Sequence, residues 1–233
     1  MDSTLTNLLI PIKTDKIRLG PKHDGGYVVA KNYLSPNLYS YGVGSQCGFE
    51  ESYNKLVPDC KMKLFDGTVK SPNSFLGRHK NAKFFQKNVY NEKDLGIEET
   101  NVFVQMDIEG AEIDIFNTMS IRTIQKVKQL CLEVHLWRGL LFEKAEQFFK
   151  KLNKYFYLVH VHGNNYSKNK KSFGLPIALE LTYVNKLQWI DSITTEDKHC
   201  PVRGLDFPNK TRAKDLLLAW WIDPDKRVFG LGK

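Results

Sequence analysis

Strand-like apolar runs alternate with helix-length segments along most of this 233-residue chain, and that alternation restricts the fold more than any other feature. Strands separated by helices are joined by crossovers, which sets them parallel in one sheet with helices on its faces. NLYSYGV (37–43), KMKLFDG (61–67), AKFFQKNVY (82–90), NVFVQMDI (101–108), VKQLCLEVHLW (127–137), YFYLVHVH (155–162) and IALELTYVN (177–185) read as strands. Helical periods fall between them. FEESYNKLV places Phe49, Tyr53 and Leu56 on one face, AEIDIFNTMS follows the fourth strand, and 139–153 is amphipathic. The last connection is different. GNNYSKNKKSFGLP has no helical period, and a parallel crossover needs a helix, so the sheet is expected to end in an antiparallel pair.

A chain of this length supports one substantial core, so a single domain over 1–233 is expected, with a core of about 18–185. Residues 186–233, with Trp189, Trp220 and Trp221, read as an irregular covering tail. The formal charge of +8 suits an anionic partner, but an excess of this size is more often a matter of solubility, so nucleic acid is not the expected partner. Cys47, Cys60, Cys131 and Cys200 are scattered without a C-x-x-C pair, which argues against a zinc knuckle or redox dithiol and fits a reducing compartment. The first residues lack the pattern of a signal peptide, and no segment has the apolar length of a membrane span, so a cytoplasmic location is expected.

Three of the strands close on polar pairs. Side chains two apart on a strand share a face. Asp107 and Glu109 form such a pair, Glu133 and His135 a second, and His160 and His162 a third, just before Asn164 and Asn165. Singly, an acidic pair at a strand end is an ordinary start to the following helix, and Glu112 and Asp114 are read that way. A lone histidine on an apolar strand is more often structural than catalytic. Together, three such endings on one edge of an open α/β sheet are what an active site looks like, because ligands bind outside the carboxyl ends of the strands.

The first strand adds a cofactor signal. YSYGVGSQCGFE carries Gly42 and Gly44 where backbone can approach a ligand, and Asp66 closes the next strand where a carboxylate can hold a ribose diol. Nicotinamide dinucleotides and S-adenosylmethionine both suit that arrangement. The fourth strand discriminates, since a dehydrogenase has no need of Asp107 and Glu109 beside Glu133 and His135. Transfer of a methyl group to a hydroxyl needs a base and can use a metal. An NAD(P)-dependent oxidoreductase, a nucleic-acid methyltransferase and a non-catalytic binding module remain the rival classes.

NVFVQMDIEGAE, with YGVG and LFDG before it, resembles the FkbM-like family of S-adenosylmethionine-dependent methyltransferases, in which I-D-x-E-G-A-E recurs. The likeness extends to DGGYVV (24–29), QLCLEVH (129–135), YLVHVHGNN (157–165) and ELTYVN (180–185). GVGSQCGFE departs from the family in its glycine spacing. The resemblance implies an α/β, Rossmann-like, seven-stranded methyltransferase sheet with a reversed last strand, and O-methylation of a sugar or glycan; some relatives are virus-encoded. It implies that Gly42 and Gly44 face the methionine portion, Asp66 the ribose and Asn88 the adenine. Arg18 and Asp24, Gly26 and Tyr27 either close over the cofactor or form a D-G-G turn. Asp107, Glu133 and His135 would hold magnesium or manganese while Glu109 takes the proton; without metal, His135 or His160 would be the base. His162, Asn164 and Asn165 would meet the acceptor.

Overall fold

The computed structural model describes residues 4–137, 139–167 and 171–222. Its strands are β1 (Lys16–Leu19), β2 (Tyr27–Ala30), β3 (Asn37–Tyr41), β4 (Lys61–Phe65), β5 (Ala82–Phe85), β6 (Val102–Met106), β7 (Val127–His135), β8 (Phe156–Gly163), β9 (Lys171–Ser172), β10 (Leu175–Pro176) and β11 (Ala178–Asn185). Its α-helices are α1 (Thr4–Asn7), α2 (Gly48–Leu56), α3 (Asn73–Arg78), α4 (Glu92–Leu95), α5 (Glu112–Thr118), α6 (Ile121–Lys126) and α7 (Phe142–Tyr155).

One seven-stranded sheet runs in the order β5-β4-β3-β6-β7-β11-β8. The pairs from β5 to β7 are parallel, and β11 alone is reversed, antiparallel to both β7 and β8. The expected α/β sheet with a reversed last strand is therefore present. The reason lies in the 163–177 connection, which carries only the small β9–β10 hairpin, turned by Phe173 and Gly174 at positive φ. A chain leaving β8 without a helix returns beside it in the opposite direction, and here β11 inserts between β7 and β8 rather than adding outside them.

The central strands are buried on both faces, as their near-continuous apolar runs require. On one face, α5 and α7 pack against Val104, Met106, Leu132, Val134 and Leu181. Helix α7 buries Ala145, Phe148, Phe149 and Leu152, a single stripe at helical spacing. On the other face, α2 covers β3 and β6 through Phe49 and Tyr53, which meet Phe103. Beyond α2 that second face is covered by the antiparallel β1–β2 hairpin, whose backbone carbonyl at Val28 accepts from Thr182 Oγ1 at 2.5 Å. The irregular segment after β11 lies over the core as well, with Trp220 Nε1 donating to the Leu9 carbonyl at 2.8 Å. All four cysteines are buried and free. No helix among the described residues is long and apolar enough to cross a membrane.

Two local readings are corrected. The strand expected over 82–90 ends at Phe85. The segment before the first expected strand is a hairpin laid on the sheet, with Leu19 paired to Tyr27 and Arg18 to Val28, and the D-G-G residues form its turn.

Candidate active site

Register builds the site. Glu133 on β7 pairs with Glu180 on β11, and Glu180 pairs with His162 on β8. Asp107 follows Met106, whose partner is Leu132, so it stands next to Glu133. Asp107, Glu133, Glu180 and His162 thus form one row across four strands, on the face that the hairpin and the tail cover. At about 4.8 Å per strand, the row is on the order of 14 Å long. Because β11 is reversed, its amino-terminal residues reach the edge where the parallel strands end.

The sharpest backbone contact lies at the near end of this row. Gly42 has φ 77, and a Cβ there would fall 1.6 Å from the Asp107 carbonyl oxygen, so only glycine lets β3 and β6 leave the sheet this close together. Gly44 N–H then donates to Asp66 Oδ2 at 2.8 Å. Asp66 Oδ1 accepts from Thr68 N and Thr68 Oγ1, both at 2.7 Å, and from Val69 N. Burial opposes ionisation of Asp66, but these hydrogen bonds outweigh it and hold the carboxyl below its usual range. A cavity of about 440 Å³ opens here, lined by Gly42, Gly44, Asp66, Asn88, Asp107 and Glu109 among others.

Beyond the cavity wall, donor atoms of Asp107, Glu133 and His135 lie within 4.8 Å of one another. Tyr27, buried under the hairpin, places its hydroxyl 3.2 Å from Asp107 Oδ2 and 3.4 Å from Glu133 Oε2. Asn164 Nδ2 donates to Glu133 Oε1 at 2.8 Å. Burial pushes the Asp107 carboxyl up to about 7, against the pull of His135 and with Glu109 and Glu112 adding to it. Burial and then the Asp107 and Glu180 carboxylates hold Glu133 well above the ordinary range. Asp107 Oδ1 is buried with no hydrogen-bond partner among the described residues.

His135 is fixed from behind. Its Nδ1 lies 3.3 Å from Glu112 Oε1, and its Nε2 lies 3.5 Å from Glu109 Oε2 and 3.7 Å from Glu133 Oε1. Burial disfavours the imidazolium, yet the Glu112 hydrogen bond and charge, then Asp107 and Glu109, carry its pKa upward. Trp137 stacks on the imidazole at 4.8 Å and donates from Nε1 to the Glu109 carbonyl at 3.3 Å. Glu109 itself takes a left-handed φ of 59 and keeps its side chain 75% exposed at the cavity mouth. Glu112 corrects its reading as a routine helix-start carboxylate. It is fully buried, and Oε1 accepts from Ile108 N and Gly110 N as well as facing His135, so it shapes the turn that carries Glu109. Asp114 does behave as a surface acid, paired with Lys144 at 2.5 Å.

The remaining candidates divide. Asn88 lines the cavity. Asp24 and Gly26 lie in the hairpin turn; a Cβ at Gly26 would fall 1.9 Å from the Pro21 carbonyl, which is a packing reason for that glycine. The Arg18 guanidinium donates to the carbonyls of Pro21, His23 and Leu205. His160 and His162 are not beside His135, because β11 stands between their strands. His160 Nε2 lies 2.8 Å from Asp206, and His162 lies between Glu180 and Asp215. Asn165 is buried and bonded to the backbone of Lys210, Ala213 and Lys214. Glu180 was missed from the sequence although it stands two residues from Thr182 inside an apolar strand, the same spacing that singled out its neighbours.

No protein-family model matches the chain, and no curated protein matches it in sequence. Solved structures match in chain path. A fibrillarin–Nop5p complex aligns at 13% identity over 64% of this chain and 72% of that one, with a TM-score of 0.45. CmcI in a Mg-SAM structure aligns at 11% identity over 65% and 66%, with a TM-score of 0.43. Precorrin-6y C5,15-methyltransferase from Geobacter metallireducens aligns at 12% identity over 64% and 80%, with a TM-score of 0.37.

Proposed function

We propose that this protein is an S-adenosylmethionine-dependent methyltransferase that modifies a hydroxyl of a sugar or glycan, in the manner of the FkbM-like enzymes its sequence resembles. One observation carries the reading: the Gly42–Asp107 junction joins a cavity of about 440 Å³, walled by glycine backbone, Asp66 and Asn88, to a buried cluster of two carboxylates and an imidazole. A donor pocket and proton-active groups share a wall.

The residues fit the cofactor. Asp66 is ionised and, among the described residues, its Oδ2 carries only the Gly44 bond, so it can accept from a ribose hydroxyl. Asn88 offers an amide toward the adenine, and the Gly42–Gly44 turn leaves room for the methionine end. S-adenosylmethionine supplies a methyl group on a sulfonium, and transfer then depends on removing the acceptor proton.

The donor set also fits a hard divalent cation, since two carboxylates and a histidine bring donor atoms within 4.8 Å of one another and Asp107 Oδ1 has no hydrogen-bond partner among the described residues. Asp107, Glu133 and His135 would hold magnesium or manganese, which would stabilise charge on the acceptor oxygen. Glu109, exposed at the mouth, then receives the proton. A metal-free route has specific support in the Glu112–His135 Nδ1 contact, which orients the imidazole with Nε2 forward as a base.

The test is transfer from labelled S-adenosylmethionine to a panel of glycans, with and without chelator. Label in a glycan, lost with chelator and restored by magnesium or manganese, supports the metal arrangement; transfer indifferent to chelator favours His135. In parallel, thermal shift with S-adenosylhomocysteine should exceed that with NAD. Stabilisation by NAD alone would sink the methyltransferase reading.

A further inference from the structure

The far end of the row holds a second cluster with different chemistry. Donor atoms of His162, Cys200 and Asp206 lie within 4.8 Å of one another, and all three residues are buried. Cys200 Sγ is 3.6 Å from Asp206 Oδ2, and His162 Nε2 is 3.1 Å from Asp215 Oδ1. Tetrahedral zinc, with bonds of roughly 2.0 Å to nitrogen or oxygen and 2.3 Å to sulfur, separates nitrogen from oxygen by about 3.3 Å and sulfur from oxygen by about 3.5 Å. The Cys200–Asp206 pair already has the spacing of an edge of such a shell.

The surroundings match as well. His162 Nδ1 lies 2.8 Å from Glu180 Oε2, and Glu180 Oε1 in turn accepts from Asn209 at 2.6 Å. That fixes the ring and directs Nε2 away from the sheet, the carboxylate–histidine support typical of metal-bound imidazole. His160 Nε2 holds the other oxygen of Asp206 at 2.8 Å.

We propose that His162, Cys200 and Asp206 bind a structural zinc ion. A thiolate, an imidazole and a carboxylate suit zinc better than magnesium, which separates this centre from Asp107, Glu133 and His135. The ion ties two points of the tail, at 200 and 206, to β8. It therefore holds the segment whose backbone Asn165 grips and whose Asn209 supports Glu180. The proposal stands apart from the methyltransferase reading, since none of its donors lines the cavity.

The full chain, purified without chelator, is analysed for bound metal by mass spectrometry and, after stripping, titrated with zinc and with cobalt(II). The expected result is about one zinc per chain, and a sulfur-to-cobalt charge-transfer band in the wild-type protein. Cys200→Ser should remove the band, and Asp206→Asn should weaken zinc binding at least about 10-fold, in line with loss of one ligand. Asp107→Asn should leave zinc content unchanged. The wild-type cobalt spectrum does not depend on any variant folding. Failure of the stripped wild-type chain to take up zinc or cobalt would overturn the proposal, leaving His162 and His160 as plain ion pairs. Zinc lost in Asp107→Asn but kept in Asp206→Asn would overturn it too, by locating the ion at the other cluster.

Discussion

The two ends of the polar row use the same kinds of side chain on the same sheet face and differ in how they are covered. At the Asp107 end, strands β3 and β6 finish in turns, a cavity opens, and Asp107 keeps a buried oxygen without a partner. At the His162 end, the tail lies across the strands and gives the imidazoles partners at both His160 and His162. Unsatisfied groups beside a cavity have capacity for a ligand, whereas satisfied groups under a cover hold a structure together. Substitutions at the two ends should therefore separate activity from stability.

The largest effect should come from Asp107→Asn. The change keeps the volume and removes a buried charge, so the folded state should be as stable as the wild type or more so. Methyl transfer should fall by about 10²–10⁴, the scale of losing an acid–base group or its equivalent. Rates with a glycan acceptor and a melting curve, taken on the same preparation, check both halves. Intact activity would break the contrast at its most important point.

Asp206→Ala should do the reverse. It removes the partner of His160 and the acceptor of the Val202 N–H at 2.7 Å, leaving buried polar groups unmatched. Breaking such a pair costs about 3–5 kcal/mol, which urea unfolding would register as a lower midpoint. If S-adenosylhomocysteine still binds to the folded fraction with unchanged affinity, the two ends are independent. A loss of affinity matching that of Asp107→Asn would merge them.

How much of this was legible beforehand depended on periodicity. The sheet, its reversed strand and the polar endings of β6, β7 and β8 were visible because regular alternation exposes a polar residue within a buried run. The three polar endings were expected to form one site on one edge, but β8 does not stand beside β7. Sequence order carries no mark that β11 inserts between them, and this insertion moves His160 and His162 away from His135. Glu180 carried a usable signal, a charge two residues from Thr182 in an otherwise apolar strand. Cys200, Asp206 and Asp215 carried none, because an irregular tail has no period against which a residue can stand out. Part of that expected tail, 223–233, lies outside the described residues.

Glu50 supplies a reference for both ends, being a buried acid on the same face with neither cavity nor cation. Its partner is the Ser40 hydroxyl, and burial pushes its carboxyl up to about 7 despite that bond. A raised carboxyl contributes full stability below its unfolded value near 4.5 and loses it as pH climbs through about 7. Glu50→Gln should thus be nearly neutral at acidic pH and stabilising at alkaline pH. The shift corresponds to at most about 3 kcal/mol at 1.36 kcal/mol per unit. Melting temperatures of both proteins across this pH range should diverge with increasing pH. Parallel curves would mean that the burial of Glu50 is relieved by water or by movement of α2.

Gly44→Ala should give a modest change in stability and the finest test of the open end. Gly44 sits at φ 63, but a Cβ there would meet nothing within 4 Å. The cost is then the left-handed backbone alone, about 1–2 kcal/mol, with no clash to add. Space left empty beside a strained glycine is what a ligand-approach loop requires and what a packing glycine, such as Gly26, lacks. The added methyl should accordingly weaken the thermal-shift response to S-adenosylhomocysteine by more than the stability loss alone explains. The Gly44 N–H also positions Asp66, so a relaxed loop would disturb that carboxylate, proposed to hold the ribose, as well. An unchanged ligand response in a mildly destabilised variant would move the cofactor away from this turn and leave the Asp66 side of the cavity as its remaining wall.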